Sequence, residues 1–140
     1  MLRNWWMAGL MLVVGVLAAR SAATPVVRAV EFLVFVVVAV LFSPLAFPRS
    51  LSAAEARERS ARDGRPVVYW RPGCRYCLRL RLRLGRRAGR AHWVNIWRDP
   101  DGAAAVRAVT GGDETVPTVV LRDEAVVNPD PAWLRDRLPS

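Results

Sequence analysis

The sequence predicts an α/β protein: a central four-stranded mixed sheet flanked by helices, preceded by two transmembrane helices. Apolar residues are concentrated near the N-terminus, where two long stretches follow one another. From Pro66 onward, short β-branched and aromatic runs alternate with helix-forming segments. The two cysteines, Cys74 and Cys77, fall where the first of those runs meets the helix behind it.

A length of 140 residues accommodates one ordinary domain and something small beside it. The hydrophobic fraction of 53% is unevenly spread, so the chain is not uniformly globular. Its formal charge of +9 comes entirely from arginine, which suits nucleic acid, anionic lipid or an acidic partner. Two cysteines cannot build the framework of a disulfide-stapled scaffold, and that class is excluded.

Trp5 to Ala19 is unbroken and apolar between Arg3 and Arg20. At 1.5 Å per residue it covers about 22 Å, short of a ~30 Å hydrocarbon core unless Leu2 and a snorkelling Arg20 extend it. Trp5 and Trp6 suit a headgroup boundary, and Ser21-Ala22-Ala23 offers small residues for signal-peptide cleavage. Thr24-Pro25 opens the second stretch as an N-cap with proline at the first helical position. Ala29 to Phe47 is nearly all apolar, with Glu31 near its start and Arg28 within pairing distance of it on a helix. Ser43-Pro44 and Pro48-Arg49 end it. The reading is a membrane hairpin over 1–48, with helices at about 3–22 and 25–47. Arginines flanking both ends place the termini, and the domain after them, on the cytoplasmic side of the cell membrane.

Residues 49–65 read as a helical connector: Ser52-Ala53-Ala54-Glu55 is a capping box, and Asp63-Gly64 ends the helix. The domain proper covers 66–140. Pro66 to Trp70 is a buried strand. Leu78-Arg79-Leu80-Arg81-Leu82-Arg83-Leu84 alternates strictly, as a strand would. Leucine and arginine are good helix formers, however, and no β-branched residue interrupts them, so the segment is predicted helical. His92 to Trp97 is the next strand, with His92 partly exposed at its edge. Pro100 to Val109 is a helix stopped by Gly111-Gly112, and Val116 to Leu121 a strand entered through Pro117. Arg122-Asp123-Glu124 turns into Ala125-Val126-Val127, and Asn128-Pro129-Asp130-Pro131 leads into a last helix over 132–138.

A strand, a tight Pro72-Gly73 turn and a C-x-x-C opening a helix is a setting for redox chemistry. Free N–H groups and the positive dipole end at a helix N-terminus favour thiolate over thiol. Cys74 is therefore the candidate nucleophile, and Cys77, one turn on, the candidate resolving thiol. Eight arginines and no acid between Arg71 and Arg90 strengthen the bias toward thiolate. Zinc needs four ligands, and two cysteines with one histidine do not supply them, so no metal is expected.

Val68-Tyr69, Cys74-Arg75-Tyr76-Cys77 and Thr115-Val116-Pro117-Thr118-Val119 together resemble a glutaredoxin of the thioredoxin-like fold. More narrowly, Cys-x-Tyr-Cys-Leu-Arg-Leu, the Gly111-Gly112-x-x-Thr-Val-Pro-Thr-Val run and Asn128-Pro129 resemble actinobacterial mycoredoxins. The resemblance covers Pro66 to Leu138. It implies a cis Val116–Pro117 peptide beside the nucleophile. It also implies a thiol-binding groove lined by Tyr76, Arg71, Arg75, Thr115, Val116 and Pro117. The implied activity is reduction of mixed disulfides between proteins and a low-molecular-weight thiol, with that thiol as co-substrate and no bound cofactor. Glutathione-using glutaredoxins usually carry Gly-Gly where this chain has Asn128-Pro129. Proline has no N–H for a carboxylate, which turns the expectation from glutathione toward mycothiol.

Two other readings compete. One is a dithiol electron donor reduced by thioredoxin reductase; the other, of a different class, is a basic membrane-associated binding module without catalysis. A domain on the outer side, oxidising exported proteins, is a further variant. The arginine run has no accompanying base-stacking motif, so membrane lipid is the expected partner and nucleic acid is not.

Overall fold

Two apolar helices and a mixed sheet with helices on both faces make up the computed structural model, which describes residues 6–21, 24–42 and 47–139. They belong to two compact units, Met1–Ala46 and Phe47–Ser140.

In the first unit, α1 (Trp6–Ser21) packs against α2 (Pro25–Phe42). Thr24 caps α2 as its sequence suggests, its hydroxyl accepting from the Val27 N–H at 3.3 Å. The seam is built from small residues: Gly15, Ala19 and Ala39 are buried. A Cβ on Gly15 would lie 2.5 Å from Cβ of Phe35, so close approach of the helices requires glycine there. Leu17, Val26 and Leu33 are among the many large apolar side chains left facing outward.

The expectation of two transmembrane helices is corrected by the structure. Among the described residues no helix is long and apolar enough to cross a membrane. The 16 residues of α1 extend about 24 Å and the 18 of α2 about 27 Å. The first turns of α2 carry Arg28 and Glu31, which leaves an uninterrupted run of only about 16 Å from Phe32 to Phe42. The expected Arg28–Glu31 pair does not form either: Glu31 Oε2 is buried without a partner. The Trp5 boundary residue, the Ala22-Ala23 cleavage site and Ser43-Pro44 lie outside the described residues, as does the Trp6 side chain.

In the second unit the elements run β1 (Ser50–Leu51), α3 (Ala53–Asp63), β2 (Val67–Trp70), α4 (Arg75–Leu84), a 3-10 segment (Gly85–Arg90), β3 (His92–Asn95), α5 (Pro100–Thr110), β4 (Thr118–Leu121), β5 (Glu124–Val127) and α6 (Pro131–Arg135). The sheet has five strands, not four, in the order β1-β3-β2-β4-β5. The extra strand is two residues long and sits just before a capping box, too short to leave a periodic signature. β1–β3 and β2–β3 are parallel, whereas β2–β4 and β4–β5 are antiparallel.

The pleat sorts the core into two halves. Val67, Tyr69, Val94 and Val120 share one face, under α3 and α5. Val68, Trp70, Trp93 and Val119 share the other, under α4 and α6. A Cβ on Gly102 of α5 would come within 2.8 Å of Val94 Cγ1, which shows how closely that helix lies on β3. The other half is sealed by Phe47, whose ring stacks on Trp70 at 3.8 Å and meets Trp93 edge-on at 5.7 Å. Phe47 is thus a core residue of the sheet domain rather than the end of an apolar helix. His92 corrects a second expectation: β3 is an interior strand, and His92 is buried with Nε2 3.0 Å from Asp63 Oδ2.

Candidate functional site

The site grows from the end of β2. Its four residues are buried on both faces, so the chain leaves the sheet at a fixed point. It then reverses through Arg71-Pro72-Gly73-Cys74. Pro72 occupies the second turn position, Gly73 has φ 77°, and the Cys74 N–H donates to Arg71 O at 3.4 Å, the pattern of a type II turn. The turn delivers Cys74 to the N-cap of α4 with extended backbone, φ −81° and ψ 110°.

Where serine or aspartate would usually cap a helix, this chain has a sulfur. Cys74 Sγ accepts from the Cys77 N–H at 3.3 Å. As a thiol it donates to Val116 O, also at 3.3 Å. Cys74 is partly exposed while Cys77 is fully buried beneath it, and both are free thiols. That asymmetry separates their acidities. The Cys77 side chain hydrogen-bonds to the Cys74 sulfur and contributes most to stabilising it as a thiolate. The Cys77 and Tyr76 N–H groups and the Arg71 charge add to this, and against the opposing desolvation they bring the Cys74 pKa down to about 6. Burial, together with the hydrogen bond and negative charge of its neighbour, pushes Cys77 strongly upward, so Cys77 keeps its proton.

The other sequence-predicted residues fall around this pair in two groups. Val116–Pro117 is cis, and both residues are buried against the nucleophile's side of α4. Thr115 is exposed, and its carbonyl accepts from the Thr118 hydroxyl at 2.7 Å. Arg71 is half-buried in the turn. Arg75 and Tyr76 are exposed on the first turn of α4. The Arg75 guanidinium lies 4.8 Å from the Tyr76 ring centroid, and its Nη2 donates to the Tyr76 hydroxyl at 2.8 Å.

A polar cleft of about 230 Å³ lies one turn along α4, where the sequence pointed to Tyr76 and Asn128-Pro129 but not to Arg79 or Asp130. Tyr76 and Arg79 line one side, and Asn128, Pro129 and Asp130 the other. Asn128, at φ 48°, donates its N–H to Pro117 O at 2.7 Å, which ties the cleft to the cis-proline turn. Asp130 caps α6, its Oδ1 accepting from the Ala132 N–H at 2.7 Å. The Asn-Pro-Asp-Pro run was a visible signal, but its meeting with Arg79 depends on the fold. No cluster of histidine, cysteine and carboxylates able to hold a metal occurs among the described residues.

A half-exposed, acidified N-cap cysteine over a buried thiol can exchange disulfides. Comparison with known proteins points the same way: residues 67–126 match the family model described as Glutaredoxin. No curated protein and no solved structure gives a significant match to the chain. The family match spans β2 through most of β5 and contains both cysteines and the cis-proline turn. It supports placing this domain in the glutaredoxin family, as a thiol-disulfide oxidoreductase.

Proposed function

We propose that Cys74 reduces mixed disulfides between proteins and a low-molecular-weight thiol, and that mycothiol suits the site better than glutathione. The observation that carries the exchange chemistry is the sulfur N-cap itself, poised as a thiolate near neutral pH above a thiol that stays protonated. The Cys74 thiolate attacks the small thiol's sulfur in the mixed disulfide. A new S–S bond forms between Cys74 and the small thiol, the old one breaks, and the protein sulfur leaves as thiolate to be protonated by solvent. A second small thiol, as thiolate, then attacks the small thiol's sulfur on Cys74. This releases the symmetrical small-molecule disulfide and regenerates the Cys74 thiolate, so electrons come from the low-molecular-weight thiol.

The choice of thiol is read from the cleft. The Asn128 N–H is already given to Pro117 O, and Pro129 has none. The start of α6 is occupied by the Asp130 carboxylate. A peptide carboxylate from glutathione would find the α6 cap filled by Asp130 and no backbone N–H free, leaving Arg79 alone to hold it against the Asp130 charge. The hydroxyl groups of a pseudodisaccharide thiol, by contrast, can hydrogen-bond to Asp130, Asn128 and Arg79 together. Under this reading Tyr76, which lines the cleft, together with Arg71, Arg75 and the backbone of Thr115, Val116 and Pro117, would hold the small thiol beside Cys74.

The test is turnover of one peptide presented as its mycothiol and as its glutathione mixed disulfide. The expected kcat/KM is at least about tenfold higher with mycothiol, equivalent to roughly 1.4 kcal/mol of transition-state preference. Equal rates, or preference for glutathione, reject the thiol assignment. Cys77→Ser should keep most of the activity on the favoured substrate. If it abolishes turnover, the chain works instead as a dithiol electron donor.

A further inference from the structure

The exposed face of α4 is unlike any other surface of the domain. Arg75, Arg79, Leu82 and Arg83 stand at i, i+4, i+7 and i+8, within about 100° of the helix circumference. They lie opposite the buried Cys77, Leu80 and Leu84. Arg86 and Arg87 extend the face into the 3-10 segment, and all of these arginines are exposed. No carboxylate among the described residues forms an ion pair with Arg75, Arg79, Arg83, Arg86 or Arg87. Asp130, which lines the cleft beside Arg79, is engaged in capping α6. Leu82, an apolar side chain in the middle of the stripe, is 58% exposed.

We propose that this stripe is the docking surface for an acidic segment of the protein whose mixed disulfide Cys74 reduces. The proposal rests on the assignment of Cys74 as the thiol-transfer nucleophile and adds the class of protein substrate. Two features favour a polypeptide. The stripe begins on the turn that carries the nucleophile, so a chain presenting its sulfur to Cys74 is carried directly onto Arg79 and Arg83. From Arg75 to Arg83 the stripe is about 12 Å long, which an extended segment of about four residues covers. Leu82 then meets an apolar residue among the acidic ones. A nucleic acid would find a single exposed aromatic ring here, Tyr76, with Arg75 over one of its faces, and no second ring for the next base. An anionic bilayer laid along the same face would cover Tyr76 and the mouth of the thiol site with it.

The experiment uses the full-length chain and three peptides of equal length. Each holds one cysteine as a mixed disulfide with mycothiol, followed by four Glu, four Gln or four Lys residues, and free mycothiol supplies the electrons in every assay. Turnover is measured at roughly 20 and 300 mM salt, where the Debye length falls from about 20 Å to about 6 Å. The expected kcat/KM for the Glu peptide exceeds that of the Gln peptide by about tenfold at low salt and by less than about threefold at high salt, with the Lys peptide slowest. Arg83→Glu combined with Arg86→Glu removes or reverses that order while leaving turnover of bis(2-hydroxyethyl) disulfide unchanged, which also shows that the variant folds. Equal rates for the Glu and Gln peptides at low salt overturn the proposal, as does a preference that survives the double substitution. If the double substitution instead releases the chain from anionic vesicles without altering peptide preference, the stripe is a lipid contact and the proposal is wrong. A wild-type chain that fails to turn over bis(2-hydroxyethyl) disulfide rejects the thiol-transfer assignment itself; turnover of it without charge preference rejects the docking surface alone.

Discussion

The Asp99 carboxylate caps two helices at once. Oδ1 accepts from the Gly102 N–H of α5 at 2.7 Å, and Oδ2 from the Ala53 N–H of α3 at 2.9 Å. An N-cap bond is worth about 0.5–2 kcal/mol, so Asp99→Ala, which loses both bonds, should lower the urea-unfolding free energy by about 1–4 kcal/mol. Asp99→Asn, which keeps one acceptor, should lose roughly half of that. A loss below about 1 kcal/mol for Asp99→Ala would mean the two caps do not act together. The helix start at Pro100 was legible from the sequence. The bond to Ala53, 46 residues away, was not, because nothing local encodes it. Phe47 teaches the same lesson, since its apolar neighbours made it look like the tail of a long helix while its ring belongs between Trp70 and Trp93. His92 is a third case: a lone histidine carries no signal for Asp63, which reaches it from the end of α3.

At the scale of elements, local chemistry was most readable where caps and turns carry it. The Ser52 N-cap, the Gly64 stop at φ 68°, the turn before Cys74 and the Gly111 stop at φ 73° all sit where the sequence places them, although Glu55 pairs with Arg59 rather than closing the capping box. The Leu/Arg segment was the hard case, because its alternation fits a strand and its composition fits a helix. As a strand it would turn Leu78, Leu80, Leu82 and Leu84 to one buried face. As α4 it buries Leu80 and Leu84, at 2% and 4% exposure, and leaves Leu82 at 58%. Leu80→Ala should therefore cost about 2–5 kcal/mol and Leu82→Ala less than about 0.5 kcal/mol, measured by urea unfolding. Equal costs would return the segment to a strand. β1 and the Gly85–Arg90 segment escaped notice because a two-residue strand and a short 3-10 run have no period to detect.

At the scale of the molecule, the chain carries an apolar helical pair and a domain that matches the glutaredoxin family model, and the proposed chemistry of that domain rests on Cys74. The thiol's depressed pKa also links that chemistry to folding. Stability contributed by a group acidified on folding is fully present above its unfolded pKa, about 8.5, and is lost as pH falls through about 6. The difference in unfolding free energy between the reduced wild type and Cys74→Ser should therefore shrink on moving from pH 9 to pH 5, and a flat difference would contradict the assigned acidity. The most direct test is the pH dependence of Cys74 alkylation by iodoacetamide in the reduced full-length chain, with Cys77 buried and protonated. The rate should rise with pH to a plateau with a midpoint near 6, moving upward in Cys77→Ala as the thiol donor is removed. A midpoint at or above about 8.5, the value of an unperturbed cysteine, would show that no thiolate is held at the start of α4.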